Sequence, residues 1–289
     1  MLDHKIDFTV VISVNNANPN GDPLNGNRPR QNFEDFGEIS DVAIKRKIRN
    51  RLQDFWELGG SDKEDGNDIF VKMDERTDEY TNLKERQTNE LDDYTKLKKD
   101  SKKFAEQACK KWIDVRSFGG VFADTGLSVG IRGPVSVQTA RSKNRIDIQD
   151  YQIVRSTSQQ STTKEGDIKQ AAGKLGHKYT VDFGVYVFNG SINVQLAERT
   201  GFNEEDANKI HTALKTLFEN DASAARPEGS LVVERVYWWE HDSKLPNIPS
   251  HKLFRSVKID VDEDAKSIDQ VVFHDDEILE KDICEIYKD

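Results

Sequence analysis

In "DFTVVISV", Phe8, Val10, Ile12 and Val14 alternate with Asp7, Thr9, Val11 and Ser13. This period of two predicts a strand with one apolar face and one wet face. The chain then leaves into "NNANPNGDPLNGNRPR", a long run of turn-formers that includes Asn18 and Asn20 and ends on Arg28 and Arg30. A loop of this length inside a compact domain is usually functional or disordered. Helical spacing follows in "ISDVAIKRKIRNRLQDFW". Ile44, Ile48, Leu52 and Phe55 share a face, and Ser40 or Asp41 caps the start. Lys45 and Arg49 lie one turn apart beside that stripe, with Arg46 further round.

From residue 59 to 114 the chain is rich in Lys, Glu and Asp with only a thin apolar stripe, which predicts a peripheral helical insertion solvated on one side. Residues 142–178 are polar and read as an exposed arm. "YTVDFGVYVF-NG-SINVQLA" predicts two strands around an Asn189-Gly190 turn, the preferred two-residue hairpin connection. "NEEDANKIHTALKTLFEND" predicts a helix capped by Asn203, with Ile210, Leu214, Leu217 and Phe218 on its buried face. "SLVVERVYWWEH" and "KLFRSVKIDV" read as two more strands, and the last residues as an acidic tail. Without the insertions the order is strand, helix, strand, hairpin partner, helix, strand. That is an α+β order of the ferredoxin-like or RNA-recognition-motif kind, with helices on one face of a sheet.

Composition changes this picture in one respect. With 289 residues, 33% of them charged, the chain is expected to be a soluble globular protein. No apolar run reaches bilayer length and no basic lead-in marks a signal peptide, so a cytoplasmic protein with no membrane partner is expected. Cys109 and Cys284 are widely separated and read as free thiols. The formal net charge of −10 argues against a nucleic-acid partner, but its distribution does not. Residues 183–289 carry twelve Lys and Arg against twenty-two Asp and Glu, whereas 115–182 carry ten against six. A basic face on an acidic molecule binds phosphates while the rest of the surface repels them.

Enzymatic motifs are missing. The six histidines stand in separate contexts without metal-ligand spacing, and no nucleophile elbow or phosphate loop occurs. "DKEDGND" lacks the downstream glutamate of a calcium loop. Asp35, Glu38 and Asp41 are a conceivable metal set for RNA cleavage, but capping and solvation explain them more simply. No cofactor, metal or catalytic residue is therefore expected. Phosphate binding fits better, because glycine turns offer backbone N–H groups and arginine adds a charged fork. "RSFGG" (Arg116, Ser117, Gly119, Gly120) and "GIRGP" (Arg132) pair the two, and Arg141, Lys143, Arg145 and Arg155 add charge.

"NNANPNGDPLNGNRPR", "GEISDVAIKRKIRN", "RSFGGVFA", "SVGIRGPVSVQTARS" and "SAAR…HDSKL…HKLF" together resemble the Cas-seven family, the backbone subunit of type I CRISPR Cascade complexes, and subtype I-C most. The resemblance implies a hand-shaped protein. Its palm is a modified RNA-recognition-motif fold (1–58, 115–141 and 181–289), with helical fingers at 59–114 and a hairpin thumb at 142–180. It implies non-catalytic copies stacked head to tail on a CRISPR RNA, presenting it to target DNA beside a crRNA-processing Cas-five family subunit and a large Cas-eight family subunit. Carried onto this chain, the resemblance puts the phosphate-contacting helix at Lys45, Arg46 and Arg49 and the glycine-turn contact at Arg116, Ser117, Gly119 and Gly120; with Asn18, Asn20, Arg28, Arg30, Arg132, Gln138, Arg141, Arg155 and Lys178, these are the expected RNA-binding residues. Leu175 in "GKLGHKY" stands where the family often has a methionine and is the expected thumb wedge. The alternatives are a metal-dependent ribonuclease of the type III kind that uses Asp35 or a nearby carboxylate, and a stand-alone RNA-binding module with no assembly partner.

Overall fold

The computed structural model describes the chain apart from residues 59–65, 74–79, 155–160, 163–167, 170–174 and 247, and at 161–162, 168–169 and 175 it describes the backbone alone. An eight-stranded antiparallel sheet organises it. Its path runs from Cys284–Lys288 through Leu231–Glu240, Ile6–Ala17, Leu175–Ile192 and Ala140–Arg145 to Phe36–Ile39. Val135–Val137 and Ile148–Val154 also pair with the long strand Leu175–Ile192. Of the strands Ile6–Ala17, Ala140–Arg145, Leu175–Ile192 and Leu231–Glu240, taken as first to fourth, the fourth and third flank the first, and the second lies outside the third. Helices Asp41–Leu58 and Glu204–Lys215 follow the first and third strands. They bury Ile44, Ile48, Leu52, Ile210 and Leu214 in one core with Phe8, Val10, Ile12 and Val14. Both helices begin as their sequences predict. Ser40 Oγ accepts from Ala43 N at 3.3 Å, and Asn203 and Asp206 form a reciprocal capping box.

The expected wet face of the first strand does not exist. Every residue from Ile6 to Val14 is buried. Val11 joins a second core with Phe183, Val185, Tyr237 and Trp239, covered by Leu253, Val257, Ile259, Ala265 and Ile278. The polar positions of that face are answered internally. Asp7 Oδ2 is 2.9 Å from both Lys5 Nζ and His241 Nε2, and Thr9 Oγ1 donates to Asn189 Oδ1 at 2.7 Å. The covering segment corrects two further expectations. "KLFRS" lies in the helix Ser250–Ser256, leaving only Ile259–Val261 as a strand. The last residues are the edge strand Cys284–Lys288, paired with Leu231–Glu240, rather than a tail. The physical reason is shared: a sheet face carrying Tyr237 and Trp239 has to be kept from water, and the nearest chain does it.

Asn189-Gly190 is not a turn. Leu175–Ile192 is one continuous strand, and "NVQLA" enters the helix Val194–Thr200 with Asn193 Oδ1 accepting from Leu196 N at 2.9 Å. Gly190 sits in the middle of the sheet, opposite Phe8 on one side and Val137 on the other. A Cβ there would lie 2.2 Å from Phe8 Cζ and 2.5 Å from Ser136 O. Close approach, not backbone freedom, demands this glycine. Gly190→Ala is expected to destabilise the fold by about 1–3 kcal/mol through overpacking, read from the urea midpoint. An unchanged midpoint would contradict the assignment.

The Lys-rich insertion closes a small core of its own. Leu83–Glu90, Tyr94–Leu97, Ser101–Lys111 and Ile113–Phe118 are helical. Phe104 and Trp112 pack on Phe70 and Phe122, with Phe104 and Phe122 ring centroids 5.1 Å apart. Phe122, Leu127 and Val129 come from the hairpin of Gly119–Asp124 and Leu127–Arg132, which supplies the wall that the thin helical stripe lacks. Cys109 is buried in this core and its thiol is pushed up to about 11 by burial, and Cys284 similarly to about 12, so neither is a reactive thiolate. No described helix is long and apolar enough to cross a membrane.

Candidate nucleic-acid interface

The loop after the first strand is ordered by its own asparagines. Asn18 is buried, and its Nδ2 donates to Asn27 O at 2.7 Å. Asn20 Oδ1 accepts from Ser40 N at 2.9 Å, which fastens the loop to the start of the helix Asp41–Leu58. Both organise the loop rather than present a side chain outward. Their work sets out the arginines. The Arg28 guanidinium lies 4.6 Å from the centroid of the Tyr179 ring, and Arg30 Nη2 is 3.4 Å from Asp22 Oδ1.

Tyr179 belongs to a two-stranded ribbon in which Leu175–Val181 pairs with Ile148–Val154. Lys178 stands opposite Tyr151, and the His177 ring stacks near-parallel to Tyr179 at 5.9 Å. Beside the ribbon root runs Ala140–Arg145, in which Ala140, Ser142 and Asn144 are buried while Arg141, Lys143 and Arg145 are exposed. Alternate residues of a strand stand about 6.8 Å apart, so these three cations form a straight row. Arg141 is 71% exposed at its side chain and only 3.4 Å from Glu38 Oε1, a weak solvent-screened pair. Arg145 and Arg28 meet across an open groove of about 490 Å³ that Asp35, Asp147, Asp182 and Asp264 also line.

A second group of predicted residues is engaged inside the protein. Arg116 donates twice to Asp206, Nε at 2.8 Å and Nη2 at 2.7 Å, and its Nη1 bonds Gly66 O and Cys109 O. Arg49 Nε donates to Asp114 Oδ2 at 2.9 Å and its guanidinium lies over Phe118. Arg46 Nη1 donates to Val71 O at 2.6 Å, and burial, then the nearby Arg49, pulls its pKa down. Ser117 is fully buried. Gly119 has φ 78°, and a Cβ on it would meet Ile131 O at 2.1 Å, so the glycine pair is a joint between helix and hairpin. Lys45 keeps a half-exposed place beside Asp41 at 3.0 Å.

This arrangement can now be set beside known proteins. The family described as CRISPR-associated protein Cas7 matches residues 4–277. The chain belongs to that family. A CRISPR-associated protein Cas7 of Haloferax volcanii is 27% identical over 300 residues, covering 93% of this chain and 84% of the relative. Two solved chains, from a CRISPR RNA-guided surveillance complex and from a pre-nicking form, give TM-scores of 0.43 and 0.44 at 13% identity. Each covers 81% of this chain, with 68% and 77% of the solved chains matched. Similarity at that level carries no argument about function.

Within this Cas7-family chain, Arg141 stands opposite Val187 at mid-strand, Arg145 shares the groove with Arg28, and Lys178 lies nine residues further along the same long strand as Val187. Arg132 ends the insertion hairpin and is exposed there, while Gln138 accepts from Asn189 Nδ2 at 3.2 Å. Arg155 and the Leu175 side chain lie outside the described residues. Gly120 has room for a side chain, with Phe122 no nearer than 3.4 Å. Two features went unread in the sequence. One is the regular alternation of "ARSKNR", which aligns Lys143 and Arg145 with Arg141. The other is the Arg28 guanidinium set over Tyr179, whose ring lies near-parallel to that of His177.

Proposed function

We propose that this chain is the non-catalytic CRISPR RNA-binding backbone subunit of a type I surveillance complex, of subtype I-C. Copies polymerise head to tail along the guide and present its bases to target DNA in antiviral defence, in the cytoplasm. Cas-five and Cas-eight family subunits complete the complex. The observation that carries the reading is the cationic edge of exposed Arg141, Lys143 and Arg145, which leads toward Arg28 and Arg30 past a groove also lined by Asp35, Asp147, Asp182, Glu263 and Asp264, on a molecule of net charge −10. Such an edge follows a sugar-phosphate backbone without reading bases.

The strand order, with the helices Asp41–Leu58 and Glu204–Lys215 together on one face, supports a palm of the RNA-recognition-motif kind. The second face is filled by protein, so the guide runs along the edge rather than across the sheet. The ribbon Ile148–Val154 with Leu175–Val181 is the thumb in this reading, with Leu175 as its wedge and the Lys-rich insertion as the fingers. Lys45, Arg132, Gln138, Lys178 and Arg155 extend the contact. Arg116, Arg46, Arg49 and Ser117 hold the fingers to the palm. In the competing reading Asp35, whose Oδ1 accepts from Gln31 Nε2 at 3.3 Å, would hold a metal for RNA cleavage.

Fluorescence anisotropy with single-stranded RNAs of unrelated sequence tests this. Affinities are expected to agree across sequences, to fall steeply with salt, and to leave the RNA uncut in magnesium. Binding confined to one sequence, or periodic cleavage abolished by Asp35→Ala, would overturn it.

A further inference from the structure

At the other end of the first strand, three side chains from separate parts of the fold converge. His4 precedes that strand, Glu240 ends the neighbouring strand opposite Ile6, and Glu204 opens the helix Glu204–Lys215. One ligand atom from each lies within 4.8 Å of the other two. His4 Nδ1 is 2.9 Å from Asp3 Oδ1, so a proton on Nδ1 points at that carboxylate and Nε2 is the nitrogen left for a ligand. Nε2 is shut off from solvent and has no hydrogen-bond partner among the described residues. Neither glutamate closes on it directly, and the ion-pair contact His4 makes is with Asp3.

Nε2 is a buried nitrogen without a partner, and two carboxylates gathered beside the same imidazole repel one another unless a positive charge, a second ring proton or a metal ion, lies among them. The groups behind it point the same way. A carboxylate on the far ring nitrogen is the usual second partner of a metal-bound histidine, and Asp3 supplies it. Glu240 Oε1 accepts from the Trp238 indole Nε1 at 2.9 Å, so a second donor is also held from behind.

We propose that His4, Glu204 and Glu240 bind one divalent first-row transition-metal ion. One imidazole nitrogen and two carboxylate oxygens suit Zn²⁺ or Mn²⁺, with water completing the shell on the side where Glu240 is exposed. The ion ties the N-terminal segment to the helix and to the sheet, and so stabilises the folded state. The first strand spans about 40 Å between this site and the cationic loop, so the proposal stands apart from the RNA reading.

The test is titration of chelator-stripped full-length chain with ZnCl2 by calorimetry, and with MnCl2 by electron paramagnetic resonance, alongside thermal melting. Uptake of one equivalent is expected, with a melting temperature that rises and stops rising at that equivalent. His4→Gln and Glu240→Gln should weaken binding at least tenfold while leaving the circular dichroism spectrum and RNA affinity unchanged. No saturable uptake, or uptake by His4→Gln equal to that of the native chain, would overturn the site and leave the RNA reading untouched.

Discussion

Arg116→Ala is expected to lower stability by about 3–5 kcal/mol. The guanidinium is almost fully enclosed and satisfies Asp206 with two hydrogen bonds and two backbone carbonyls with a third nitrogen. Its removal strands a carboxylate that is 2% exposed. Asp206 also accepts from Asn203 N at 3.0 Å as half of a capping box, so the loss reaches the start of the helix Glu204–Lys215. Arg116→Lys should recover only part of the stability, since an ammonium cannot reproduce the planar fork. Urea denaturation measures both variants. Below its melting temperature Arg116→Ala should bind RNA as the native chain does. A stable variant with weakened RNA binding would return Arg116 to the contact surface.

The second large effect is the reverse. Changing Arg141, Lys143 and Arg145 together to alanine should weaken RNA binding by at least about tenfold and make the plot of log affinity against log salt shallower by about 2. The three side chains are exposed, and Ser142 and Asn144 hold the backbone between them: Ser142 Oγ accepts from Gly37 N at 2.8 Å and Asn144 Oδ1 from Val185 N at 3.0 Å. The melting temperature should therefore change little. Loss of affinity for some sequences only would argue for base contacts instead.

These two variants also show what was legible in the chain. The first strand, the helix Asp41–Leu58 and the capped helix after Asn203 follow from local periodicity, because each buries a face that its own spacing defines. What covers the second sheet face could not be read, since Val11 meets Leu253 and Ile278 only after the whole fold has closed. Asn189-Gly190 misleads because a hairpin turn and a close-packed sheet position both call for glycine, and only the ring of Phe8 distinguishes them. Arg116 looked like a phosphate ligand for the same kind of reason. Arginine beside glycines describes an anion site and an internal clamp equally well, and the partner that decides, Asp206, lies 90 residues away. The exposed row from Arg141 to Arg145 was within reach, as a strand that alternates cations with small polar residues can turn only one set to water.

The central claim is that this chain assembles in register along a single strand by holding its phosphates. The most direct measurement is the mass of the protein–RNA complex by light scattering as RNA length is increased at low ionic strength. The account predicts a mass that climbs in equal steps, each adding one protein copy per fixed number of nucleotides. A mass that stays at one copy whatever the RNA length, or a protein that leaves the RNA unbound, would contradict it.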